Sequence, residues 1–156
     1  GEIAVRGPQL MAGYWQRPEE TARAMLPGGW LRTGDLGRLA ADGALQLLDR
    51  VRDIVWVGGL PVAPSLVEEV VQRLAGVREC AAVAMPHPDG RDAGDALRLV
   101  VVRESAAAAE PTEAQVRAHC ERHLAGYQRP LAIEFRDALP RGGIGKVLRR
   151  ALRDGA

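Results

Sequence analysis

Two stretches, Cys80-Ala81-Ala82-Val83-Ala84-Met85 and Leu97-Arg98-Leu99-Val100-Val101-Val102-Arg103, decide the architecture. Each is an almost unbroken apolar run. A strand that stays apolar without alternating is covered on both faces. A polar loop, Pro86 to Asp95, joins them. Upstream, Pro64-Ser65 opens a helix to about Ala75, with Ser65 as N-cap and Glu68 three residues on as its capping-box partner. Gly76 stops that helix. Downstream, Thr112 caps a helix to about Ala125, Ile133 to Arg136 is a third strand, and Leu148 to Leu152 reads as a closing helix. The order α-β-β-α-β-α predicts an α+β fold, a small mixed sheet flanked by helices. The Ala-rich stretch Ser105 to Pro111 reads as a mobile loop.

Residues 1 to 50 differ in character. Glu2 to Arg6 alternates like a strand. Arg17-Pro18-Glu19-Glu20 starts a short helix through Thr21 to Met25, ended by Gly28-Gly29. Leu36 to Ala40 and Ala44 to Asp49 flank Ala41-Asp42-Gly43, a hairpin signal. This material is strand-rich and too small for a domain of its own, so the boundary is set at 50/51.

Composition narrows the function classes. The formal net charge is +1, which gives no electrostatic case for nucleic acid. No apolar run approaches the ~20 residues of a membrane span. The first residues, Gly1-Glu2-Ile3-Ala4-Val5, read as a strand and not as a signal peptide, and fit a chain that begins mid-protein. Cys80 and Cys120 form no C-x-x-C and read as reduced, buried thiols of a cytosolic protein. Of 21 basic residues, only Lys146 is a lysine. Genomic base composition accounts for the arginine bias. It leaves one compact ammonium on a flexible stem, which does what a planar guanidinium does not.

Four motifs carry candidate chemistry. Thr33-Gly34-Asp35 reads as a turn between strands that presents a carboxylate beside bare backbone; alone it reads first as a polar turn with Asp35 bonding its own backbone, and second as a site for a ribose diol. Asp49-Arg50-Val51-Arg52-Asp53 is a charge run at the proposed boundary. Gly58-Gly59-Leu60-Pro61-Val62-Ala63-Pro64 reads as a loop before a helix, whose glycines could face an extended ligand. Arg141-Gly142-Gly143-Ile144-Gly145-Lys146-Val147 reads as a flexible loop ending in the lone lysine. It is not a phosphate-binding P-loop, because Pro140 stands where the first Gly belongs and Val147 where Ser or Thr belongs. His119 and His123, one helical turn apart, lack a second ligand pair, and no metal site is expected. Glu68-Glu69 reads as a solvated helix face.

The order and spacing of these motifs resemble the C-terminal region of the adenylate-forming, AMP-binding superfamily, which includes acyl-CoA synthetases, luciferases and peptide-synthetase adenylation domains. Gly7-Pro8-Gln9-Leu10-Met11, Gly13-Tyr14-Trp15-Gln16-Arg17-Pro18-Glu19, Gly28 to Arg52, Leu124 to Pro130, and Leu139-Pro140 with Gly145-Lys146 and Arg149-Arg150 look most like long-chain fatty acyl-CoA synthetases. The resemblance implies that residues 1–50 end a large N-terminal AMP-binding domain and that 51–156 form its mobile C-terminal domain. It implies that Lys146 is catalytic in adenylation. Asp35, Arg50, Thr33 and Gly34 would bind nucleotide, Arg52 would be the hinge, and Val57, Gly58 and Gly59 would line the CoA path. Gly58-Gly59-Leu60-Pro61 stands where fatty-acyl enzymes carry Ser-Gly-Phe-Asn, and Gly142-Gly143-Ile144 lacks the familiar Thr.

ATP, CoA and Mg²⁺ follow as cofactors, with the magnesium ligands outside this chain. The implied partners are a fatty or other carboxylic acid and the chain's own N-terminal domain, in a cytoplasmic enzyme able to touch the inner membrane face. The chain alone is expected to be inactive and to self-associate through exposed strand edges. Two alternatives stand beside this reading: an adenylation domain that loads a carrier protein, and a non-catalytic binding module.

Overall fold

A computed structural model describes residues 1–90, 94–104 and 110–154. The chain divides into two compact units, Gly1–Arg52 and Asp53–Ala156. The division falls two residues past the end of the strand-rich segment read from the sequence.

The first unit is built on one long strand. It contains β1 (Glu2–Val5), α1 (Pro18–Ala24), β2 (Met25–Leu26), β3 (Trp30–Leu39) and β4 (Leu45–Arg50). All three partner strands run antiparallel to β3. Leu31 faces both Val5 and Met25, and Leu36 faces both Glu2 and Asp49, so β1 flanks one side of β3 while β2 and β4 share the other. Pro18 fixes the first turn of α1. Gly37 is a packing glycine: a Cβ there would lie 2.7 Å from Ile3 Cδ1 and 2.8 Å from the Gln46 carbonyl oxygen.

The second unit has two small sheets. β5 (Val55–Val57) and β6 (Leu60–Val62) form a hairpin; β7 (Val77–Pro86), β8 (Asp95–Arg103) and β9 (Ala132–Phe135) form a mixed sheet in the order β7-β8-β9. β7 runs antiparallel to β8, and β9 parallel to it. The helices are α2 (Pro64–Gln72), α3 (Glu113–His123) and α4 (Arg149–Arg153). The fold is α+β, as expected, and the continuous apolar strands are explained by what covers them. Cys80, Ala82, Leu97, Leu99 and Val101 point to one core with Val55, Val62, Val67, Val71, Val116 and Cys120 from the hairpin, α2 and α3. Ala81, Val83, Val100 and Val102 point to the opposite face, where Leu139, Leu152 and Val147 pack.

Several local expectations change. The Gly58 to Pro64 stretch is not a plain loop, since residues 60–62 are a strand. The helix start moves as well: Pro64 occupies the first helical turn and Ala63 is the N-cap, without a side-chain bond. Proline's fixed φ suits that first position, and it places Ser65 inside the helix, so Ser65 is not the N-cap. Thr112 does cap α3: its Oγ1 accepts from Gln115 N–H, and Gln115 returns the bond to Thr112 N–H. The expected mobile stretch from Ser105 lies, up to residue 109, outside the described residues. No described helix is long and apolar enough to cross a membrane.

Candidate functional site

In the first unit, Thr33-Gly34-Asp35 does not separate two strands. It lies inside β3, and the register against β1 slips across it: Glu2 pairs with Leu36, yet Ala4 pairs with Arg32. The triplet is therefore a bulge, and Gly34 takes the left-handed φ of 73° that a bulge of this kind favours. Thr33 Oγ1 fastens it, donating to Ile3 O at 2.9 Å and accepting from Asp35 N–H at 3.1 Å. A bulge re-aims the side chain that follows it. Asp35 ends up opposite Arg50 on β4, and Arg50 Nε lies 2.9 Å from Asp35 Oδ1. The structure thus brings Thr33, Gly34, Asp35 and Arg50 together. Thr33 and Gly34 also line an open groove of about 570 Å³ with Glu2, Tyr14, Arg17 and Arg32. The Asp35–Arg50 pair is half-exposed, so its worth lies in orienting a carboxylate more than in stability. Arg52 is the last residue of this unit, within a 3₁₀ turn over Val51–Asp53.

In the second unit, Val57 closes the β5–β6 hairpin against Leu60, leaving Gly58-Gly59 as a two-residue turn. Both glycines have positive φ, 56° and 79°, the signature of a type I′ turn. A Cβ at either position would meet nothing within 4 Å, so the turn offers bare backbone to its surroundings. Val57 also bridges to Gly94.

Lys146 sits on the other face of the mixed sheet, beside Val147, which packs against the Leu139–Leu152 core. The loop that carries it is not slack. Leu148 N–H donates to Pro140 O, Gly142 N–H to Lys146 O and Gly145 N–H to Gly142 O, all within 2.8–2.9 Å. Arg141 and Val147 face each other as an antiparallel bridge. This is a miniature hairpin, which corrects the flexible-loop expectation: Gly145, at a φ of 79°, permits the turn, and backbone bonds then close it. Lys146 is exposed and has no ion-pair partner among the described residues. The glycine turn and the lysine therefore belong to opposite faces of one sheet, within one compact unit.

Sequence reasoning missed the polar groups that hold this body together. β7 is an edge strand, so alternate backbone groups along it lack a partner strand. At Ala82 a side-chain pair substitutes for one. Glu68 Oε1 accepts from Ala82 N–H at 2.7 Å, and Arg149 Nη1 donates to Ala82 O at 2.8 Å. The two side chains join each other through Arg149 Nη2 and Glu68 Oε2 at 2.9 Å. Arg98 reaches the Leu152 carbonyl at the end of α4, and Arg141 reaches Glu79 on β7. Glu68 is thus an edge cap and not a solvated face. Its position beside Val67, in the apolar stripe Pro64, Val67 and Val71, was the available signal.

The cysteines are inert by environment. Burial, with Glu68 adding to it, pushes the Cys80 thiol up to about 12, and burial raises Cys120 as well. His119 Nε2 bonds Val70 O at 2.9 Å and ties α3 to α2. Among the described residues no group of three His, Cys, Asp or Glu side chains gathers as a metal site.

Comparison with known proteins extends over the same ground. A long-chain-fatty-acid–CoA ligase from Salmonella typhimurium is 44% identical over 156 residues, all of this chain but 27% of that protein. A sulfoacetate–CoA ligase from Cupriavidus necator is 41% identical over 97% of this chain and 29% of its own length. ATP-bound MatB from Rhodopseudomonas palustris superposes with a TM-score of 0.91 at 36% identity, over 99% of this chain and 30% of that one. The chain thus spans under a third of the proteins it matches. The family description AMP-binding enzyme C-terminal domain covers residues 66–146, from the first turn of α2 to the lysine itself, and the chain belongs to that family.

Proposed function

We propose that this chain is the C-terminal part of an ATP-dependent acid–CoA ligase, and that fatty acids are its acid class. The reaction joins a carboxylic acid to CoA in two steps. A carboxylate oxygen attacks the α-phosphorus of ATP, pyrophosphate leaves, and an acyl-adenylate forms. The CoA sulfur then attacks the acyl carbon and AMP departs.

The observation that carries this reading is the ammonium of the lone lysine, Lys146, without an ion-pair partner among the described residues, on a closed hairpin. Carboxylate and triphosphate are both anions, and a positioned cation offsets their repulsion and the charge that builds on the phosphate oxygens. Asp35, oriented by Arg50, would accept hydrogen bonds from the ribose hydroxyls, with Gly34 allowing close approach. Gly58 and Gly59, after Val57, would border the path of the CoA arm, where side chains would obstruct it. Arg52, at the junction of the two units, would be the hinge that exchanges lysine for glycine turn. Magnesium ligands and the acid pocket would lie in the remainder of the ligase, which makes the chain alone inactive. The 44% identity to a fatty-acid ligase favours fatty acids, and the sulfoacetate ligase keeps the acid pocket as the deciding element. On this reading the enzyme is cytoplasmic.

The test uses the full-length ligase. Lys146→Ala should slow adenylate formation ~100-fold or more, the scale of losing a charge-stabilising donor. Thioester formation from supplied acyl-adenylate should survive. Equal loss in both half-reactions would refute the assignment.

A further inference from the structure

Lysine is the least self-positioned of cations: four rotatable bonds separate its ammonium from the backbone. If Lys146 must meet two anions at once, its aim has to come from the loop beneath it. The tip of that loop is poorly equipped to hold itself. Gly142, Gly143 and Gly145 contribute no side chains, and Ile144 is 83% exposed. Its backbone bonds close the hairpin but tie it only to itself.

Among the described residues, one side chain links the tip to the sheet. Arg141 Nη1 donates to Gly145 O at 2.7 Å, and Nη2 of the same guanidinium donates to Glu79 Oε2 on β7. Glu79 is mostly covered, and its other oxygen faces Arg78 at 3.7 Å. The bridge therefore runs from the residue preceding the lysine, through one planar group, to the framework of the sheet. The two bonds come from two nitrogens of one rigid fork, and an ammonium in its place would keep the charge and lose that fixed span.

We propose that Glu79 and Arg141 are positioning residues for Lys146, fixing the backbone from which its ammonium reaches the reacting carboxylate and α-phosphate. The proposal rests on the reading of Lys146 as the adenylation lysine. Neither residue touches substrate. Both act through Gly145, and only in the half-reaction that uses the loop. The Glu68–Arg149 pair is different in kind: it caps a buried strand edge, and its loss lowers the stability of the whole unit.

The experiment uses the full-length ligase with Glu79→Gln, Arg141→Lys, the double variant, and Lys146→Ala as reference. Pyrophosphate release reports adenylation, supplied acyl-adenylate reports thioester formation, and a thermal melt reports stability. Each single variant should lower the adenylation kcat roughly ten- to hundred-fold, the cost of misplacing a catalytic group by about an ångström. KM for ATP and acid should stay within about twofold, as for a group that acts on the transition state. Thioester formation and melting temperature should hold. The double variant should be no worse than the poorer single, because both substitutions cut one bridge. Unchanged adenylation in Glu79→Gln, beside a crippled Lys146→Ala, overturns the positioning role alone. Losses that add in the double variant, or that track a falling melting temperature, also overturn it. An active Lys146→Ala overturns the reading of the lysine, and the positioning role falls with it.

Discussion

Replacing Glu68 by alanine should unfold the second unit far more easily than its place on a short helix suggests. The carboxylate serves Ala82 N–H and the Arg149 guanidinium together. Ala82 is fully buried, so its amide would lose its acceptor without gaining water, at about 1–3 kcal/mol. Breaking a fully buried pair costs about 3–5 kcal/mol. Here the side chains of Arg149 and Glu68 are 23% and 16% exposed, which lets water recover part of that. The two losses overlap, and a total of about 3 kcal/mol is expected. For a unit of this size that is a fall of about 10–20 °C in melting temperature. Glu68→Gln should cost about half as much, because an amide oxygen still accepts from Ala82 while offering Arg149 no charge. Urea and thermal melts followed by circular dichroism measure both. A Glu68→Ala variant within about 1 kcal/mol of the parent, or a Gln variant as damaged as the Ala, would refute the edge-cap account.

Other outcomes follow from the site. Gly59→Ala should cost about 1 kcal/mol of stability for its left-handed φ and, in the full-length ligase, slow thioester formation more than adenylation; half-reaction assays separate the two. Asp35→Asn should leave stability within about 1 kcal/mol, since the pair with Arg50 is half-exposed, while weakening nucleotide binding measured by calorimetry in the full-length protein. Cys80 and Cys120 should resist thiol reagents in the native chain and react once it unfolds. Because the folded chain keeps protons that the unfolded chain releases, stability should be full below about pH 9 and decline as pH rises toward 12, read by denaturant titration across that range.

Much of this was legible in the chain, for physical reasons. The runs 80–85 and 97–103 announced a sheet covered twice because, Arg98 and Arg103 apart, their residues are apolar on both faces. Thr112 announced a helix start because an N-cap bonds within its own turn, and the structure adds Gln115 as the other half of that cap. The β5–β6 hairpin was hidden by Pro61, which argues against a strand. Pro61 faces Trp56 one step from a two-residue turn, a pair that exchanges no backbone bonds, so its missing N–H costs nothing. The Thr33-Gly34-Asp35 bulge looked like a turn because both need a left-handed glycine. Within the candidate site, Asp35, Arg50 and Lys146 stand out by motif. Their supports do not: Glu79 and Arg141 lie 62 positions apart, and Glu68 and Arg149 lie 81 apart. No local pattern joins such pairs until the sheet has formed.

The closed hairpin under Lys146 also sets a clock. A slack loop could flick the ammonium in and out within nanoseconds, many times per turnover. A loop bonded to itself and, through Arg141, to the sheet has its backbone held, so the base of the lysine would leave the site only when its whole unit swings, on the microsecond-to-millisecond scale of domain movements. The swing that removes the lysine would also carry the glycine turn on the opposite face. The two chemical steps would then be kept apart by inertia of structure, and solvent viscosity, which drags on a moving domain, should slow the passage between them while leaving each step itself alone.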